Sequence, residues 1–206
     1  MKKVWNADEK LQLERALLAK GNTHIAGGDE VGRGPLAGPV VCASVIMPLD
    51  EASLIVGVDD SKKLYAKKRE ELAEKIKATA LAYKIVEIDE SVIDEINILQ
   101  ATRLGMKRAI EELSLTPDTV LTDGNMTIDI ALPQQSVVHG DALSYSIGCA
   151  SIIAKVHRDA MMDEYAKLYP HYGFEKNKGY GTAEHIRGIK EQGLCPIHRK
   201  TFTKNF

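Results

Sequence analysis

The sequence is short of several things. It has only three cysteines, Cys42, Cys149 and Cys195, an odd number at wide spacing. That excludes a disulfide scaffold and fits reduced thiols in a cytoplasmic protein. Cys195-Pro196-Ile197-His198 carries half of a zinc-ligand pattern, and no second pair completes it, so structural zinc is not expected. No apolar run is long: the longest, from Val40 to Met47, falls far short of the roughly 20 residues that cross a bilayer, so no membrane association is expected. The first ten residues lack the apolar stretch of a secretory signal. There is no internal repeat, no low-complexity tract and no Pro/Gly/Ser linker. At about 100–200 residues per domain, a single domain over residues 1–206 is expected, residues 1–22 forming a short N-terminal helical extension.

What is present is ordinary globular material: 44% hydrophobic and 27% charged residues exclude a disordered chain and suffice for a core. Periodicity and stop signals predict a helix over Asp8–Lys20, capped by Asp8 and stopped by Gly21. Ile25 leads into a glycine-rich turn, and Pro39–Met47 reads as a buried strand. Helices over Lys67–Ala80 and Ile98–Leu113, and strands over Leu81–Asp89, Thr119–Thr122 and Ser136–Val138, come next. A long helix over Asp141–Tyr169, a Gly/Tyr-rich loop and a last helix over Thr182–Glu191 complete the chain. The order predicts an α/β fold with a mixed central sheet flanked by helices and a C-terminal helical segment.

Chemistry concentrates at the ends of strands. In Gly28-Asp29-Glu30-Val31-Gly32-Arg33-Gly34-Pro35-Leu36-Ala37-Gly38-Pro39, the glycines at 28, 32, 34 and 38 permit positive φ and close approach to a ligand. A phosphate loop is excluded because no Gly-Lys-Ser/Thr closes the pattern, and a dinucleotide site because a third glycine in register and a following helix are missing. Asp123 ends the strand before Gly124, and Asp141 follows the strand that ends near Val138. An acid in a Gly turn is commonplace, but three strand-to-loop junctions ending in acids would meet at one sheet edge, where open α/β sheets bind ligands. Clustered carboxylates need a cation, and oxygen donors favour Mg²⁺ or Mn²⁺. Asp29 and Glu30 are neighbours, and on a regular strand neighbours face opposite sides; both serve one site only if the backbone is irregular or one gives its carbonyl. Asp159 reads as a further acid, as a partner of Arg158 or as a solvated carboxylate, and Lys62 and Lys63 as weak phosphate contacts.

Together these segments resemble the ribonuclease HII family. The resemblance rests on Gly28–Val41, Asp60-Ser61-Lys62-Lys63-Leu64, Asp123-Gly124-Asn125, Gly140-Asp141-Ala142-Leu143-Ser144, Ala150–Val156 with Arg158-Asp159, Lys178-Gly179-Tyr180-Gly181-Thr182 with His185, and His198–Phe202, in family order. It implies a ribonuclease H-like fold and a metal-dependent endonuclease that cuts RNA in RNA–DNA hybrids and on the 5′ side of ribonucleotides embedded in DNA, leaving 3′-hydroxyl and 5′-phosphate ends. It implies Asp29, Glu30, Asp123 and Asp141 as the acids that hold Mg²⁺ or Mn²⁺. Gly32, Arg33 and Gly34 would form the loop that senses the ribose 2′-hydroxyl, the group that distinguishes RNA from DNA, and Tyr180 would pack on the next sugar. His139 stands where the family usually has Lys, and Gly148-Cys149 where alanines are usual. A monomer is expected.

The formal charge of −2 is no argument against a nucleic-acid partner. Residues 165–206 hold eight Lys and Arg against three Glu, a net +5, so residues 1–164 carry −7. A basic C-terminal segment is the footprint that phosphate binding requires, and it is read as the substrate-holding end.

Overall fold

In the computed structural model, which describes residues 5–205, five strands form one mixed sheet. Residues 1–4 of the expected N-terminal extension and Phe206 lie outside the described residues. The strands are β1 (Ile25–Val31), β2 (Val40–Ile46), β3 (Ala82–Ile88), β4 (Thr119–Asp123) and β5 (Gln134–Val137), in the order β3-β2-β1-β4-β5. β2 pairs antiparallel with β1 and β3, while β1, β4 and β5 run parallel. The carboxyl ends of the three parallel strands therefore share one edge of the sheet, the edge where such folds place ligands.

Among the described residues, eight α-helices accompany this sheet: α1 (Ala7–Lys10), α2 (Gln12–Leu18), α3 (Ala66–Thr79), α4 (Glu90–Glu111), α5 (Gly140–Leu143), α6 (Tyr145–Leu168), α7 (Phe174–Asn177) and α8 (Ala183–Gln192). β-strand alternation divides the core in two. Val41, Ala43 and Val45 face α3 and α6 with Leu72, Ile76, Ala150 and Ile153. Val40, Cys42 and Ile46 face α4 with Ile93, Met106 and Ile110.

Five expectations are corrected. Residues 25–31 form the central strand, and the turn begins only at Gly32, whose φ is +93°. Gly27 is glycine for packing: a Cβ there would lie 2.1 Å from the Ser146 carbonyl carbon, so β1 and α6 touch backbone to backbone. Of the four glycines read as turn formers, Gly32 and Gly38 take positive φ; Gly28, with Met106 Sδ 2.8 Å from its Cβ position, is small for the same packing reason as Gly27.

The N-terminal helix is capped by Asn6, which accepts from the Asp8 N–H at 2.9 Å, and it breaks at Leu11, whose side chain enters the core. The helix predicted from Ile98 is preceded by residues 90–96 of α4, joined across Asn97 at φ +67°; Asn97 caps the second part through the Leu99 and Gln100 amides. The helix predicted over Asp141–Tyr169 breaks at Ser144, which leaves helical geometry (φ −110°, ψ 131°) to cap α6 through the Ile147 N–H.

Glu14 explains why that break is stable. Its carboxylate is fully buried, accepting from Ser144 Oγ at 2.5 Å and from the Ser146 N–H at 2.9 Å, at the positive end of α6. One turn earlier, Lys10 Nζ reaches the Ala142 carbonyl at 2.5 Å and Asp59 at 2.6 Å. The N-terminal helices thus clamp the α5–α6 junction that carries Asp141. Glu14→Ala is expected to cost roughly 2 kcal/mol, the scale of a lost cap that strands buried donors, read as a lower denaturation midpoint at unchanged slope; an unchanged midpoint would refute the clamp.

Candidate active site

Asp29 lies near the end of β1, Asp123 ends β4, and Asp141 sits in the first turn of α5 just beyond β5. One carboxylate oxygen from each lies within 4.8 Å of the other two, the one acidic group of metal-binding geometry among the described residues. Register explains the meeting. Asp29 pairs with Ala43 and Asp123 shares the face of Leu121, so both project toward α6. Asp141 is turned back onto them by His139 in the left-handed region (φ +57°), and the Gly140 N–H donates to Asp123 Oδ1 at 2.6 Å. A Cβ at Gly140 would sit 2.6 Å from Ile147 Cδ1, so a larger residue there would require the Ile147 side chain to shift.

Glu30 stands apart from the three. It pairs with Cys42 across the ladder and leaves the strand on the α4 face, and its carboxylate meets Arg33 Nη1 at 3.3 Å. The strand is regular there, and the alternation that set the two acids on opposite faces holds. Glu30 is nonetheless close enough for its charge to act on Asp29.

The electrostatics are those of a cation site. Burial pushes the Asp29 carboxyl well above its ordinary value, and the charges of Glu30 and Asp123 push it further, against a hydrogen bond from Ser151. Burial raises Asp141, with Asp123 and Asp60 adding to the effect. Burial raises Glu30 as well, opposed by Arg33. Lys62 is drawn into this field. Partial burial pulls its ammonium down, but Asp141, Asp29, Asp60 and Asp123 outweigh it and hold its pKa above the usual value. The 3-10 turn over residues 61–63, capped by Asp60 through the Lys62 N–H, sets that position. The donor set is all oxygen with no thiol or imidazole, which fits a hard divalent cation and does not fit zinc.

Gly32, Arg33 and Gly34 follow directly. The ring of Tyr180, which is 48% exposed, borders this loop: a Cβ on Gly34 would sit 3.4 Å from Tyr180 Cε1. The Leu36 N–H donates to the Gly179 carbonyl at 2.8 Å, so the two loops are stitched together.

Two residues that sequence reasoning passed over build this region. Arg199 is fully buried and donates to the carbonyls of Gly32, Arg33 and Gly38 at 2.6–3.0 Å. Arg158 is buried beside it and donates to the carbonyls of Ala37, Pro39 and Lys178. Neither has a carboxylate partner among the described residues. Asp159 instead pairs with Lys155 at 2.6 Å and Arg69 at 3.4 Å, outside the acidic group, so the Arg158–Asp159 pairing is not formed. The Cys195-x-x-His198 pair is in contact, Sγ to Nδ1 3.1 Å, within an aromatic box formed by Tyr172 and Phe174.

A mixed five-stranded sheet flanked by helices, with three carboxylates converging by the carboxyl ends of its parallel strands, is the arrangement that the resemblance implied for a metal-dependent nuclease of the ribonuclease H-like class. The family profile of ribonuclease HII matches residues 26–205. The chain is 56% identical over 194 residues to ribonuclease HII of Caldicellulosiruptor saccharolyticus, covering 94% of each. It is 53% identical over 201 residues to that of Enterococcus faecalis, covering 97% of this chain and 78% of the relative. The solved ribonuclease H2 of Pyrococcus horikoshii OT3 superposes with a TM-score of 0.77 at 25% identity, over 88% of this chain and 94% of the other. The chain belongs to the ribonuclease HII family. No helix among the described residues is long and apolar enough to cross a membrane.

Proposed function

We propose that this ribonuclease H hydrolyses the RNA strand of RNA–DNA hybrids and nicks duplex DNA on the 5′ side of an embedded ribonucleotide, leaving 3′-hydroxyl and 5′-phosphate ends. The observation that carries the reading is the oxygen-only group of Asp29, Asp123 and Asp141 beside a glycine loop. These three acids, with Glu30 at their border, would hold Mg²⁺ or Mn²⁺. When bound, such ions, commonly paired in this chemistry, neutralise the clustered carboxylates and stabilise the negative charge that develops on the phosphodiester.

The chain's own residues supply position and selectivity. Arg199 draws the Gly32 and Arg33 carbonyls inward, which turns the amide side of the loop toward a ribose 2′-hydroxyl. The exposed Gly34 and the Tyr180 ring beside it form a shallow platform for sugars on either side of the cut. Lys62 offers an ammonium at the rim for a phosphate.

The basic segment 165–206 would grip flanking phosphates through part of its charge. Arg199 is buried, and Lys167, Lys176 and Lys178 pair with Glu164, Glu175 and Asp163; Arg187, Lys190, Lys200 and Lys204 are exposed and are assigned the grip. The enzyme would act as a monomer in the cytoplasm, as one domain.

A duplex of DNA holding one ribonucleotide tests the reading. With Mg²⁺ or Mn²⁺ the expected product is a single nick 5′ of the ribonucleotide, abolished by chelator. Cutting of all-DNA substrate, or cutting that survives chelation, would overturn it. Tyr180→Ala is expected to lower the rate at a single ribonucleotide by about 10-fold or more, on the scale of one lost aromatic stack. An unchanged rate removes Tyr180 from the site.

A further inference from the structure

Tyr180 is held from behind by a chain of hydrogen bonds whose direction the geometry fixes. The Cys195 N–H points at His198 Nδ1 at 2.9 Å. A backbone N–H can only donate, so this nitrogen accepts and carries no proton. The Cys195 carbonyl, also near Nδ1 at 3.2 Å, already accepts from the His198 main-chain N–H at 3.0 Å and does not need the ring. A neutral His198 therefore bears its proton on Nε2, which faces His185 Nε2 at 3.0 Å. His185 Nε2 must then accept, which puts the His185 proton on Nδ1, 2.9 Å from the Tyr180 carbonyl. Each link leaves one arrangement for the next.

We propose that His198 and His185 form a neutral, one-way hydrogen-bond relay that positions Tyr180 against Gly34, making both histidines positioning residues for ribonucleotide recognition. The inference rests on the reading of Tyr180 as a substrate contact and adds what holds it there. Protonating His185 would set two N–H groups against each other at the Nε2–Nε2 contact, and protonating His198 would set its Nδ1–H against the Cys195 N–H. The surroundings oppose that charge. Both rings are buried among Tyr172 and Phe174, and the ring centroids of Tyr172–His198 and Phe174–His185 are 4.9 and 5.1 Å apart. The Cys195 thiol touches His198 Nδ1 at 3.1 Å, the rings of Tyr172 and Phe174 pack against both imidazoles, and the Tyr172 hydroxyl is turned to the Gly193 carbonyl; the charge of Glu90 acts on Cys195. No carboxylate lies within ion-pair distance of either ring among the described residues. Burial accordingly pulls both imidazoles down, His198 to about 4.

Nitrogen-15 NMR of the full chain reads the tautomers without any assay of activity. The expected result at pH 6 is His198 protonated on Nε2 alone and His185 on Nδ1 alone. A cationic ring, or either opposite tautomer, overturns the relay. Kinetics supply the second arm. His185→Leu should slow nicking at a single ribonucleotide by about tenfold, the worth of one positioned hydrogen bond, while His185→Asn, whose amide nitrogen stands near Nδ1, should restore most of the rate. In a Tyr180→Ala background the His185→Leu effect should vanish, because both act through one contact. An undiminished His185→Leu effect in that background, or no rescue by Asn, overturns the relay and leaves the Tyr180 reading intact. A normal rate in Tyr180→Ala alone overturns the Tyr180 reading, and the relay's purpose with it.

Discussion

Asp29→Asn is expected to abolish cleavage, by a factor on the order of 10³ or more, and at the same time to raise the melting temperature of the metal-free protein. The first effect follows from charge: an amide keeps the shape but withdraws one anionic oxygen from the group of three, and the loss of a bound cation's several kcal/mol of transition-state stabilisation is worth that much in rate. The second follows from the raised pKa of Asp29. Burial, Glu30 and Asp123 all disfavour its charge in the folded state. An acid whose folded value lies above its unfolded one destabilises the fold once it is ionised. That penalty is absent below the unfolded value near pH 4 and grows as pH rises through the folded value. The stabilisation by Asn should therefore shrink to nothing toward pH 4 and grow as pH rises above it, levelling off once Asp29 is ionised in the folded chain, in thermal melts with chelator present. Adding Mg²⁺ or Mn²⁺ should reverse the ranking, since the wild-type chain gains by mass action and the variant largely does not. A variant that is both inactive and less stable without metal would show that Asp29 is chiefly structural.

How much of this was legible beforehand depends on what kind of partner a residue has. The acids were legible because each lies near, at or just beyond the end of a strand, and parallel β1, β4 and β5 bring their ends to one edge. The opposite facing of Asp29 and Glu30 was legible too, because it is a consequence of strand geometry alone. Gly27 and Gly28 misled, since a glycine demanded by the approach of α6 or of Met106 looks in sequence like a glycine demanded by a turn. The break at Ser144 was hidden because its stabiliser, Glu14, lies 130 residues away. Arg158 and Arg199 fell inside family-like segments, but nothing in the sequence marked them as loop anchors. Their partners are main-chain carbonyls, which every residue owns, so no complementary side chain appears in the sequence to betray a buried cation. Arg158 beside Asp159 even suggested a false pairing.

Arg199→Lys is expected to be the most damaging substitution outside the acids. Arg199 Nη2 bonds to both Gly32 and Gly38, Nη1 to Arg33, and Nε also to Gly38, so one rigid fork gathers both arms of the 32–38 loop. Burial and the nearby Arg158 pull its pKa down to about 9, still charged at neutral pH, and the Phe202 ring, 5.2 Å from the guanidinium carbon, covers one face. Lysine is a point charge on a single stem and cannot span three carbonyls. The substitution would leave buried carbonyls unpaired, and on the scale of charged hydrogen bonds the cost is about 3–5 kcal/mol, or roughly 10 °C in melting temperature for a chain of this size. The kinetic consequence separates anchoring of the loop from general loss of fold. At a temperature where the variant is still folded, nicking at a single embedded ribonucleotide should fall far more than cleavage of a long RNA–DNA hybrid, where neighbouring 2′-hydroxyls give alternative registers. Arg158→Lys should act in the same direction through Ala37, Pro39 and Lys178, and because the two guanidiniums anchor one continuous segment, the double variant should cost less than the sum of its parts. Equal losses on both substrates, with additive costs in stability, would reduce the two arginines to packing and remove them from recognition.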